Sequence, residues 1–388
     1  MLDFKRPSET SFWLKAGGAL LACLVLVSIL TDFFNGLQLP EPVNLYCTLR
    51  ARTFFASFDR VIAKPDPLVF LFGSSEVEGY LDPRLIDAAT AKAGQSTDSY
   101  NLGLRALHPS FFRAFAMRFA DEMRGHHRRA AFAFVHIPRV RLTKHYRRFS
   151  PVEANQEFLF SITPWPNLAA QAGFDIPELL TVGLKKILFR NGYVSPLQAW
   201  LDGRRISKRM EVNAEFAGYF RLWKENKFME YPAWSFDHKG LYGFNAVNYP
   251  EDYARAVAQM SDPQSRDWSV SYFQKCCDLL GEHFDTSLVQ EFADGLKALG
   301  KVTDHIIIYD LYEADDIENL RQPGANRRVA ELMQFLAQQT GAEFRDIAAG
   351  LGADPANFLD FEHPSKQGVL LLTDRITQVI VETNAKHP

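Results

Sequence analysis

The stretch Leu68-Val69-Phe70-Leu71-Phe72-Gly73-Ser74-Ser75-Glu76 decides how the rest of the chain is read. Five apolar residues without alternation suit a strand buried on both faces, and such strands belong to parallel sheets covered by helices on either side. Gly73 ends the run and permits a tight turn. The strand therefore delivers a serine hydroxyl to the carboxyl edge of the sheet, where α/β proteins gather their sites. Backbone N–H groups following Gly73 and Ser74 are suited there to hold a developing oxyanion.

Downstream, a strand–helix rhythm follows. Pro83 to Ala93 reads as a helix with proline in its first turn, and Ser99 to Leu102 as a second strand. Pro109 to Met123 carries Phe112, Phe115, Ala116 and Phe119 at helical spacing, and Ala130 to Val135 is a third apolar strand. The rhythm breaks over about 139–287, where helical patches and aromatic-rich loops replace clean strands, then resumes. Leu288 to Leu299 is helical, His305 to Tyr309 a strand, Arg327 to Thr340 a helix, Glu343 to Ile347 a strand, and Lys366 to Thr383 a closing helix. The expected class is α/β: a doubly wound parallel sheet of about five strands over 67–388, with a large, mostly helical insertion.

Upstream, residues 37–66 form a proline-punctuated connector with a short helix near Leu49 to Phe58. Before it, Lys5, Arg6 and Lys15 precede an uncharged run from Ala16 to Thr31, flanked by Phe12, Trp13, Phe33 and Phe34. The run is slightly shorter than the roughly 20 residues that span a bilayer, but Lys15 can snorkel and the aromatics suit the interface. No small-x-small cleavage site follows. Residues 1–36 are thus expected to hold a retained signal anchor that contacts the bilayer through 12–36. The positive flank places the remainder outside the cytoplasm, in the periplasm, as a single-pass inner-membrane protein.

Near the other end lies Asp360-Phe361-Glu362-His363-Pro364. A serine hydroxyl is a weak nucleophile until a base takes its proton, and the base needs a third group to fix its tautomer. Asp360 and His363 on one tight turn could supply orienter and base together. The expected catalytic set is Ser75, His363 and Asp360.

Gly-x-Ser after strand one, Tyr100-Asn101-Leu102-Gly103-Leu104 after strand two and Asp-x-x-His-Pro before the last helix together resemble the SGNH/GDSL hydrolase superfamily. The resemblance implies support of the oxyanion site from Gly73, Ser74 and the second block, with Gly103 or Ala106 donating an N–H and Asn101 bracing the loop. Within the superfamily the layout is most similar to DltD-like proteins. These combine an N-terminal anchor, a Gly-Ser-Ser-Glu turn (here Gly73 to Glu76), a helical insertion, and an Asp-x-x-His followed by Ser-x-x-Gly (here Ser365 to Gly368). One departure is clear: Val135-His136-Ile137-Pro138-Arg139 stands where many members have Gly-x-Asn-Asp. One oxyanion donor is therefore absent or replaced, with His136 and Arg139 the candidates.

The resemblance implies extracytoplasmic acyl transfer to an envelope polysaccharide or teichoic-acid-like polymer, in concert with a membrane-bound O-acyltransferase. Two alternatives stand beside it: a carbohydrate esterase of the same fold that removes acetyl groups alone, and a non-catalytic polymer-binding scaffold. No cofactor or metal is expected.

Whole-chain properties set the remaining bounds. With 388 residues, 47% hydrophobic and a formal charge of -3, the chain is globular in composition and carries no global nucleic-acid footprint. Its 32 phenylalanines suit a large aromatic core. The four cysteines show no zinc spacing, and a Cys47 bridge to Cys276 or Cys277 stays open. Arg139, Arg141, Lys144, His145, Arg147 and Arg148 form a basic cluster that reads equally as an anion site or a solvated loop. Asp310, Asp315 and Asp316 lack the spacing of a cation site.

Overall fold

The computed structural model describes residues 17–19, 54–55, 57–104, 107–136, 139–143, 284–311, 325–358 and 363–386. Five strands form one sheet: β1 Leu68–Phe72, β2 Asp98–Asn101, β3 Ala130–His136, β4 Thr303–Tyr309 and β5 Glu343–Phe344. Their order is β2-β1-β3-β4-β5, and every neighbouring pair is parallel. The expected α/β class and parallel sheet are therefore present. The helices are α1 Phe58–Ile62, α2 Ser75–Glu78, α3 Pro83–Lys92, α4 Pro109–Gly125, α5 Thr286–Gly300, α6 Ala325–Thr340 and α7 Lys366–Lys386.

The run that opens β1 is buried at all five positions, and alternate residues feed two cores. Leu68, Phe70 and Phe72 face a layer built from α4, α5 and α6, with Phe54 and Phe58 packed into it. Val69 and Leu71 face the layer of α3 and α7, with Ile86, Leu372, Ile376 and Ile380. Covering both faces is what makes an all-apolar strand stable in water. Phenylalanine fills the first layer: Phe119 meets Phe70 edge-on at 4.9 Å, and Phe112 stacks on Phe292 at 4.5 Å. Gly295 lets α5 approach α4 closely, since a Cβ there would lie 2.7 Å from Phe112.

Helix starts follow the sequence closely. Asp82 caps α3 by accepting from the Arg84 N–H at 3.0 Å, with Pro83 next. Asp285 caps α5 through the N–H groups of Ser287 and Leu288. The strands differ from expectation at their ends. β2 begins one residue early, β4 begins at Thr303, β3 runs on to His136, and β5 stops at Phe344. β5 is an edge strand with one neighbour, and its pairing ends with Phe344 opposite Ile308, one residue before β4 ends. Within the expected connector helix Phe54 and Phe55 are helical while 49–53 and 56 lie outside the described residues; a further short helix follows at Phe58–Ile62, and α2 was not expected at all.

The two flanks of the insertion meet. Thr143 and Phe284 pair as an antiparallel bridge, and the Asp285 N–H donates to the Leu142 carbonyl at 2.7 Å. The chain thus leaves the sheet after β3 and returns to the same place before α5; residues 144–283, with the helical content expected of them, lie outside the described residues. So does the expected anchor, apart from residues 17–19. Among the described residues no helix is long and apolar enough to cross a membrane.

Strand order places β1 between β2, which follows it in sequence, and β3. Chain connections leave β1 and β3 in opposite directions, and the crevice at their carboxyl ends is the switch point where open parallel sheets bind ligands.

Candidate functional site

Ser75 sits at that switch point. After Phe72 the backbone passes Gly73 and an extended Ser74 (φ -93, ψ -151), then turns into the single-turn helix α2. Gly73 is obligatory on spatial grounds: a Cβ there would strike Val77 and lie 2.9 Å from the Cβ of His136. The turn presents the Ser75 hydroxyl to His363, whose Nε2 lies 3.0 Å from Oγ. Both residues are nearly enclosed, at 8% and 2% exposure. The distance is that of a hydrogen bond through which a base can take a hydroxyl proton.

His363 is held by the base of its loop. Phe358 and Pro364 form an antiparallel bridge, and the Ser365 N–H donates to the Asn357 carbonyl at 2.7 Å. Ser365 Oγ donates to the Ala356 carbonyl at 2.5 Å and accepts from the Gly368 N–H at 3.3 Å, capping α7. A Cβ at Gly368 would run into the Asn357 carbonyl oxygen. The Ser-x-x-Gly segment is therefore the clamp that fixes the histidine loop to the turn at 355–357. The Tyr80 ring lies 5.4 Å from the His363 ring on the other side. Asp360, the expected orienter, lies outside the described residues.

The second block braces the serine turn. Asn101 Nδ2 donates to the carbonyls of Val77 at 2.7 Å and Leu81 at 2.8 Å, so the end of β2 ties down the end of α2. Its Oδ1 accepts from the Gly103 N–H at 2.9 Å. The bracing expected of Asn101 is present, whereas the donor role expected of Gly103 is corrected, because its N–H is committed to Asn101. Gly103 matters for space instead: a Cβ there would collide with the Glu78 backbone nitrogen and lie 2.6 Å from its Cα. Ala106 lies outside the described residues. Ser75 heads α2, so its N–H has no carbonyl behind it within the helix.

Beneath the serine turn the carboxyl ends of β3 and β4 bring a buried polar cluster that the sequence reading only half anticipated. His136 Nδ1 lies 3.9 Å from Glu76 Oε2, and neither atom has a hydrogen-bond partner. The Tyr309 ring sits 5.6 Å from that of His136. Burial, only partly opposed by Glu76, pushes His136 down to about 4, so it is neutral at pH 7. Burial works against the Glu76 carboxylate as well. The pull of His136, His363 and Arg141 outweighs it and holds the carboxyl below the usual range. Burial, then Glu76, pushes the Tyr309 phenol up.

Of the two candidates to replace the missing oxyanion donor, Arg139 is corrected. Its guanidinium forms a buried ion pair with Asp310, both under 5% exposed, and is spent on that carboxylate. His136 lies at the edge of the site, with Nδ1 turned toward Glu76. Glu76 and Asp310 were named in the sequence without these roles. The signal for Glu76 was its place in the first turn after the serine; nothing in the sequence marks Tyr309. Among the described residues no group of three His, Cys, Asp or Glu is placed to hold a metal ion. No protein-family model and no curated protein matches the chain.

Proposed function

We propose that the chain handles acyl groups outside the cytoplasm through Ser75, with His363 as its base and Asp360 as the orienter of His363. The observation that carries this reading is the 3.0 Å hydrogen bond between two side chains 288 residues apart, enclosed at the switch point of a parallel sheet. Ser75 Oγ attacks an acyl carbonyl carbon as His363 Nε2 takes its proton. The bond from that carbon to the leaving group breaks, and the leaving group carries the proton away. An acceptor hydroxyl then attacks the acyl-serine and gives its proton to His363, which returns it to Ser75. The Ser75 N–H is the oxyanion donor in this scheme.

The layout shared with DltD-like proteins favours transfer to an envelope polymer, with a membrane-bound O-acyltransferase as partner and the chain anchored through 12–36. A second feature points the same way. The Gly103 N–H and the Arg139 guanidinium are both engaged elsewhere, and each missing oxyanion donor weakens the transition state by about 3 kcal/mol. Such a site suits slow, partner-dependent transfer better than free esterase turnover, so the purified chain is expected to leave an aryl acetate nearly untouched. A fluorophosphonate, which needs only an activated serine, tests the core of the reading. The full chain should be labelled, and Ser75→Ala and His363→Ala should each abolish labelling. In cells, Ser75→Ala should stop polymer acylation; unchanged acylation with unchanged labelling would sink the proposal.

A further inference from the structure

We infer that Glu76 is a positioning residue for the Ser75–His363 pair, a buried counter-charge that stabilises His363 when it carries the serine proton. The inference rests on the acyl-handling reading and adds a second carboxylate to it, independent of Asp360.

The geometry begins with sequence adjacency. Ser75 and Glu76 are the first two residues of α2, a helix of one turn that is buried along its whole length. Asn101 fixes that turn from below, and Gly103 packs against its end, so the Glu76 side chain has little freedom to swing out to water. Glu76 is 7% exposed, and its Oε2 accepts no hydrogen bond. A buried carboxylate oxygen without a donor is costly, and proteins normally relieve the cost with a pair or by protonation. Here the nearest ionisable group is His136, 3.9 Å away at the end of β3, and it is itself buried and neutral at pH 7. Burial works against the charge, yet the groups around it, the Arg141 guanidinium among them, hold the carboxyl below the usual range. The site thus holds a buried negative charge beside an imidazole that becomes positive only during the reaction. In a poorly solvated pocket such a charge favours the imidazolium and the transition state leading to it.

The groups facing this pair come from every adjoining element. They are His136 on β3, Tyr309 on β4, Arg141 on the turn after β3, the Arg139–Asp310 pair below them, and Tyr80 and Ser75 beside His363. His136 titrates near 4 and Tyr309 above the ordinary phenol range, so neither changes charge between pH 5 and 8.

The experiment is the pH dependence of fluorophosphonate labelling of the full chain between pH 5 and 9, for the wild type, Glu76→Gln and Glu76→Asp. Removing the anion should move the acid limb to lower pH by about half a unit or more, because the imidazolium loses its partner. It should also lower the alkaline plateau about fivefold. Glu76→Asp keeps the charge but withdraws it by one methylene, so its limb should fall between the other two. A loss of packing alone lowers the plateau without moving the limb. Glu76→Asp serves as the reading if Glu76→Gln does not fold. Limbs coincident with the wild type overturn the role of Glu76 and leave Ser75 and His363 standing. Failure of the wild type to label at Ser75 overturns the acyl-handling reading, and this inference with it.

Discussion

Arg139 shows how a residue that looks catalytic by position can be spent on structure. It follows the third strand where a donor to the oxyanion is wanted, yet its guanidinium is paired with Asp310 and both are buried. Removing one partner of such a pair leaves a charge stranded without water, which costs about 3–5 kcal/mol, while replacing both with apolar residues costs far less. Arg139→Met should therefore destabilise the chain by that amount in urea unfolding, and Arg139→Met with Asp310→Leu should recover most of the loss. Because the pair is structural, the double variant should keep Ser75 labelling within a few-fold. A double variant that folds but does not label would return Arg139 to the reaction. The pairing could not be read from sequence, since Asp310 lies beyond the insertion and only strand register brings β3 and β4 side by side.

Among the elements, legibility followed length and apolarity. β1, β3, α4 and α5 could be read because each carries an uninterrupted apolar run or a helical apolar stripe, and α3, α4 and α5 open with proline, aspartate or both. α2 could not, because four residues hold no period and its sequence, Ser-Glu-Val-Glu, would suit an exposed turn. Its burial is imposed from outside by Asn101 and by the backbone of Gly103. That dependence is testable by contrast. Gly103→Ala places a methyl on the Glu78 backbone, which cannot give way as a side chain can, and should cost about 1–3 kcal/mol. It should also reduce Ser75 labelling more than tenfold, because the turn that aims the hydroxyl has moved. Gly125→Ala, at the end of α4 where a methyl meets nothing within 4 Å, should leave labelling intact and add about 0.5–1 kcal/mol. Equal effects of the two substitutions would mean that close packing does not hold α2.

At the scale of the whole molecule, a parallel sheet sends the carboxyl end of every strand to the same edge. Ser75 after β1, His136 at the end of β3 and Tyr309 at the end of β4 consequently meet there, although the insertion separates the last from the others in sequence. Their order was legible; the electrostatics were not, because burial is a property of the assembled layers. One consequence reaches the stability of the entire fold. His136 is held to about 4, against an ordinary value near 6.5 in the unfolded chain. Between those values the unfolded chain binds a proton that the folded chain refuses. Stability is therefore fully present above pH 6.5 and falls by about 3 kcal/mol as the pH drops to 4. Glu76, held below its ordinary value, adds a further loss below about pH 4.5, whereas Asp87, whose carboxyl burial pushes up, opposes the trend. The melting temperature at fixed ionic strength should decline from pH 7 to pH 5. His136→Gln, which cannot take up the proton in either state, should flatten that decline whatever it costs at pH 7. Parallel declines in the two proteins would show that His136 is protonated within the fold, and that the cluster beneath Ser75 is wetter than its burial implies.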